Sequence, residues 1–108
     1  WQNVYSNPNM SQRFLIDSQG FKEIYNEQPV NMGNPESLAD FLKYCTENYK
    51  ADHEVVILWD HGGGVRGFGV DDIYGGQGLS VPQLKEAFEL AFGKAGETPA
   101  LEAIGFDA

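Results

Sequence analysis

A chain of 108 residues, 42% hydrophobic and 13% aromatic, makes one domain at most and excludes a disordered polymer. Its 16 acidic and 7 basic residues leave a formal charge of −9, which excludes the clustered basic surface that nucleic acid demands and favours cationic substrates. The sequence reads without a signal peptide or an apolar run of membrane-spanning length, and its one cysteine, Cys45, excludes an internal disulfide.

In chain order, residues 1–12 are polar, and Asn7-Pro8-Asn9 marks a turn. Residues 13–16 read as a short strand, and Asp17-Ser18-Gln19-Gly20 turns the chain. Residues 21–25 return as the hairpin partner. A connector over residues 28–33 leads to Asn34-Pro35, where Asn caps free helix N–H groups and Pro suits the first helical position. Helical spacing of Leu38, Phe41, Leu42, Cys45 and Tyr49 predicts a helix over residues 35–49 with one apolar face. Glu36 and Asp40 suit the positive end of its dipole and Lys50 the negative end. Cys45 falls on the apolar stripe, where a thiol acts as a small hydrophobe.

Residues 54–59 contain the apolar run Val55-Val56-Ile57-Leu58-Trp59, which lacks alternation and predicts a strand buried on both faces. Asp60 and His61 follow, then Gly62, Gly63 and Gly64. The glycines of Gly67-Phe68-Gly69 and Gly75-Gly76-Gln77-Gly78 predict a second hairpin projecting past the sheet edge. Ser80 with Gln83 is a capping-box signature. Val81, Leu84, Phe88, Ala91 and Phe92 then carry the stripe of a helix ending near residues 94–96. After the Thr98-Pro99 loop, residues 101–106 predict another buried strand, followed by Asp107 and Ala108. Strands alternating with helices define an α/β fold with parallel pairing. Right-handed crossovers bring the carboxyl ends of the two apolar strands to the same side, so that His61 and Asp107 approach each other.

A histidine beside glycine amides suits general acid/base work next to an oxyanion site, although a histidine satisfied by a backbone carbonyl is an equally good account of that residue taken singly. No serine stands in a G-x-S-x-G elbow, and Cys45 lies on the first helix, so the nucleophile has to come from elsewhere. Gly62-Gly63-Gly64-Val65-Arg66-Gly67 matches a dinucleotide pattern but runs into turn residues and not a helix. His61 to Gly64 also matches the oxyanion element of esterases, which needs a serine elbow downstream. Asp60, Asp71 and Asp72 lack the spacing of a calcium loop, and Asp71 and Asp72 read as solvated hairpin acids.

Trp59-Asp60-His61-Gly62-Gly63-Gly64 resembles the histidine motif of the clostripain family of cysteine peptidases, and Ile104-Gly105-Phe106-Asp107-Ala108 resembles the run leading into that family's catalytic cysteine. The stretch from Val30 to Leu38, with Phe41, resembles the helix entry before the histidine strand. The stretch from Leu79 to Ala87 resembles the helix between the two catalytic strands. These motifs cover residues 30–108 in the family's order. The resemblance implies a caspase-like three-layer α/β sandwich, with a mostly parallel sheet flanked by helices and hairpins. It implies that residues 1–108 are part of one peptidase domain lacking its first core strand and everything from the cysteine onward.

By the same resemblance, the parent is a cysteine endopeptidase that cleaves after Arg or Lys with a Cys-His dyad. His61 is then the general acid/base, Gly62 and Gly63 flank the oxyanion, and the nucleophilic cysteine comes immediately after Ala108. Asp107 is expected to line the pocket for the basic side chain, as a carboxylate pairs well with Arg. Lys94 is the expected maturation cleavage site, with Arg66 and Lys85 as the other basic residues in that interval. The chemistry needs no cofactor or metal. Calcium responsiveness occurs in the family, without assigned ligands here. The expected partners are Arg/Lys-containing peptides or proteins and the remainder of the peptidase domain, not nucleic acid or membrane. The resemblance further implies a secreted or cell-envelope bacterial protein. The chain without its cysteine is expected to be inactive. The competing reading is a non-catalytic caspase-like binding domain, motivated by the missing nucleophile.

Overall fold

A computed structural model describes residues 9–62, 67–71, 74–94 and 101–107. The chain divides into two compact units, Trp1–Val30 and Asn31–Ala108.

In the first unit, β1 (Ser11–Asp17) and β2 (Gly20–Glu27) pair antiparallel, with a bulge between Arg13 and Phe14. The pairing is longer at both strands than the apolar residues predict, because backbone bonds continue through polar positions. Asp17 makes the tight connection: its carboxylate accepts the Gln19 N–H at 2.8 Å, and Gly20 takes φ 123°, a region glycine enters without strain. Phe14 stacks on Phe21 with ring centroids 4.6 Å apart. The Arg13 guanidinium lies 4.7 Å from the centre of the Tyr25 ring, directly across the ladder.

The second unit holds α1 (Pro35–Asn48), β3 (Val55–Trp59), β4 (Phe68–Asp71), β5 (Gln77–Leu79), α2 (Val81–Phe92) and β6 (Ala103–Asp107). Asn34 caps α1 by accepting the Glu36 N–H at 3.0 Å, with Pro35 in the first turn. Ser80 caps α2 through a complete capping box. Its hydroxyl accepts the Gln83 N–H at 3.4 Å, and Gln83 Oε1 accepts the Ser80 N–H at 2.9 Å. Ser80→Ala removes an acceptor for one of the orphan N–H groups and is expected to cost about 0.5–2 kcal/mol of stability, read as a lower urea midpoint. The end of α2 comes at Phe92, two residues before the predicted stop. Gly93 takes φ 84°, and its N–H bonds to the Glu89 carbonyl at 2.8 Å, which closes the helix there.

The two helices pack on each other, and α2 also meets β5. The buried apolar side chains among the described residues are Ala39, Leu42, Leu79, Leu84 and Ala87. Two alanines in this set, with Ala87 at 0% exposure, leave room for close helix approach. Helical spacing put Phe41 and Tyr49 on the buried stripe of α1, but both are exposed, and Ala39 and Leu42 form the seam instead. An apolar stripe spans more of the helix surface than one neighbouring helix can cover, and the small residue wins the point of closest approach.

β3 and β6 form the expected parallel pair, in register from Val55↔Ala103 to Trp59↔Asp107. Backbone bonds extend it at both ends: the Glu102 N–H donates to the Glu54 carbonyl at 2.8 Å and the Asp60 N–H to the Asp107 carbonyl at 3.2 Å. The second histidine of the chain belongs to the amino end of this pair, with His53 Nδ1 2.7 Å from Glu102 Oε1. Burial on both faces is not observed. Val55, Ile57 and Trp59 share one face and are 57%, 69% and 83% exposed, whereas Val56 and Leu58 are half-buried. A continuous apolar run makes both faces coverable, but cover depends on elements elsewhere, and no described element shields the Trp59 face. β6 is likewise largely exposed at Ile104 and Phe106.

β4 and β5 make the second hairpin, antiparallel and interrupted between Phe68 and Asp71. Its strands run unusually close. A Cβ on Gly78 would lie 2.2 Å from the Gly69 carbonyl oxygen, so only glycine fits there.

Candidate functional site

The carboxyl ends of β3 and β6 place Asp107 beside Trp59, with Asp60 and His61 continuing from the same edge. This is the edge at which open α/β sheets hold their ligands. Neighbouring strands lie about 4.8 Å apart, so side chains at matching positions here reach each other. His61 and Asp107, the two residues expected to approach, are both exposed and belong to this one edge.

The hairpin meets the same edge. Gly62 forms a bridge with Phe68, and the Gly69 N–H donates to the His61 carbonyl at 3.2 Å. The rings of Phe68 and Phe106 of β6 also meet edge to face, with centroids 5.8 Å apart and planes at 69°. His61 thus stands where β3 passes from its parallel partner to an antiparallel one. Its own N–H is taken by Asp60 Oδ1 at 2.5 Å. Asp60 and Asp107 make the edge acidic, which suits a cationic ligand.

The hairpin is tied in turn to the segment preceding α1. Asp71 Oδ2 accepts the Met32 N–H at 3.0 Å, and the Asn31 side-chain amide donates to Gln77 Oε1 at 2.9 Å. Asp71 is therefore not the solvated hairpin acid expected of it: it is partly buried and bonded to a backbone 39 positions away in sequence. A Cβ on Gly33 would fall 2.3 Å from the Gln77 carbonyl oxygen, which shows how closely the two segments approach. Among the described residues, no three His, Cys, Asp or Glu side chains gather in a way that would hold a metal ion.

Gly62 is exposed directly after His61, whereas Gly63, Gly64, Arg66, Asp72, Thr98, Pro99 and Ala108 lie outside the described residues. Lys94 is exposed two positions beyond the last residue of α2. Lys85 sits within α2 and pairs with Glu89 at 3.7 Å. Cys45 is half-buried on α1, not at the edge that holds His61. Sequence reasoning missed the contributions of Asp60 and Gly69 to this edge. Asp60 offered one signal, a short acidic side chain next to the histidine. Gly69 offered none, because its contact with His61 depends on how the hairpin folds back.

The family model of the clostripain family, a peptidase family, matches residues 7–108, and the chain belongs to that family. It is similar to clostripain from Hathewaya histolytica, with 56% identity over 37 residues. That stretch is 34% of this chain and 7% of the length of that protein. No solved structure matches the chain. Among the described residues, no helix is long and apolar enough to cross a membrane.

Proposed function

We propose that this chain forms part of a caspase-like cysteine endopeptidase domain that hydrolyses peptide bonds after Arg or Lys. The observation that carries the reading is the register of the parallel pair. Val55↔Ala103 through Trp59↔Asp107 is one constant offset, and continuing it puts the position following Ala108 level with His61. A cysteine at that position stands on the neighbouring strand within reach of the imidazole. His61 then draws the thiol proton, and the thiolate attacks the scissile carbonyl. The imidazolium returns the proton to the leaving amine, and water deprotonated by the same imidazole then releases the acyl group from the sulfur as the acid. Backbone amides of Gly62 and Gly63 hold the oxyanion. Asp107, at the same edge, pairs with the cationic side chain of the substrate. The net charge of −9 draws such substrates in.

Kinetics on a peptide panel with Arg, Lys or a neutral residue before the scissile bond, using the intact protein that carries this chain, test the reading. Asp107→Ala is expected to lower kcat/KM for Arg and Lys peptides about ten- to a hundredfold, the weight of one charge-assisted bond, and to leave neutral peptides little changed. An unchanged basic preference would remove Asp107 from the pocket. Absence of any peptide hydrolysis by the wild type would remove the peptidase reading itself.

A further inference from the structure

We infer that Asp60 is a positioning residue for His61, an inference that rests on the peptidase reading. Three hydrogen bonds run in sequence through this point. The Asp60 N–H donates to the Asp107 carbonyl at 3.2 Å, Asp60 Oδ1 accepts the His61 N–H at 2.5 Å, and the His61 carbonyl accepts the Gly69 N–H at 3.2 Å. The main chain of the histidine is therefore held on both sides, at its N–H by its neighbour's carboxylate and at its carbonyl by the hairpin. Its imidazole carries none of this load and is left for chemistry.

β3 ends at Trp59, and among the described residues the last backbone bond from this chain to β6 is that of the Asp60 N–H to the Asp107 carbonyl. The Asp60 carboxylate takes over there. It turns back along the backbone, bonding the very next amide, and its second oxygen lies toward Gly69, 3.5 Å from where a Cβ on that residue would stand. Gly69 itself has φ 65°, a conformation that favours glycine and lets its N–H reach the His61 carbonyl. Asp60 and Gly69 thus flank the backbone of the histidine, one bonded to its N–H and the other to its carbonyl. The Asp60 bond is exposed and water competes for the same amide, so it adds little to global stability. What it adds is direction, and misplacing a catalytic group by about 1 Å costs up to about a hundredfold in rate.

The test uses Asp60→Ala and Asp60→Asn in the intact protein, with an Arg or Lys peptide as substrate. Asp60→Ala is expected to lower kcat about ten- to a hundredfold with KM within about twofold and the urea midpoint unchanged. Asp60→Asn keeps an acceptor oxygen and is expected to stay within about threefold of wild type. Full activity in Asp60→Ala overturns the inference. A loss in Asp60→Asn equal to that in Asp60→Ala also overturns it, because charge and not the hydrogen bond would then be responsible. Should Asp60→Ala not fold, amide hydrogen exchange in the peptide covering residues 59–62 decides. Protection equal to wild type in Asp60→Asn supports the inference, and protection lost there overturns it. A wild type without peptidase activity speaks against the underlying reading, whereas an active wild type with an indifferent Asp60→Ala speaks against Asp60 specifically.

Discussion

His61→Ala in the intact protein is expected to lower kcat on Arg or Lys peptides by about 10²- to 10⁴-fold, the usual weight of a positioned acid/base group. The fold should survive. His61 is exposed, and what it contributes to structure is its backbone N–H and carbonyl, both of which alanine retains. The urea midpoint is therefore expected to stay where it is while activity collapses. Loss of activity with an unchanged midpoint separates chemistry from folding. Activity within tenfold of wild type would mean that the register of β3 and β6 brings together residues with no part in catalysis. In the same variant, the thiol that the proposed dyad requires is expected to alkylate more slowly near neutral pH, because the base assigned to raise its thiolate fraction is gone.

Leu42→Ala is expected to cost about 2–5 kcal/mol of stability, measured by urea denaturation of the chain. Leu42 is 3% exposed on the seam between α1 and α2, beside the two buried alanines, so the space it leaves has no spare side chain to fill it. Phe41, one position away and 42% exposed, provides the control. Phe41→Ala deletes a larger side chain yet is expected to cost less than Leu42→Ala, because about two-fifths of Phe41 already faces water whereas Leu42 is almost wholly removed from it. Equal losses in the two variants would place Phe41 in the core and reverse the facing of α1. The comparison matters because residue type and helical spacing rank the two positions alike.

That pair of residues marks the border of what could be read without the structure. Both helix starts were legible at Asn34-Pro35 and at Ser80 with Gln83, because a cap is satisfied within one turn by residues a few places apart. The second hairpin was legible from its glycines, and the parallel pairing of β3 with β6 followed from alternation of strands and helices. From that pairing came the placement of His61 and Asp107 at one edge of the sheet, since crossover handedness leaves one arrangement. The bare Trp59 face, the Met32–Asp71 bond and the grip of Gly69 on the His61 carbonyl were not legible.

Residue order thus accounts for the elements of this protein, their caps and the end of the sheet at which His61 stands. Those features rest on torsional preference, short-range hydrogen bonds and chain chirality, all of which act between near neighbours or on the path of one crossover. Folding in three dimensions selected which apolar residues lost their water and which backbone groups hold His61. Leu42 rather than Phe41 lies on the helix seam, and Val56 rather than Ile57 is sheltered on β3. Such choices depend on which distant segment arrives opposite a given face, and on whether a glycine there lets it come close enough.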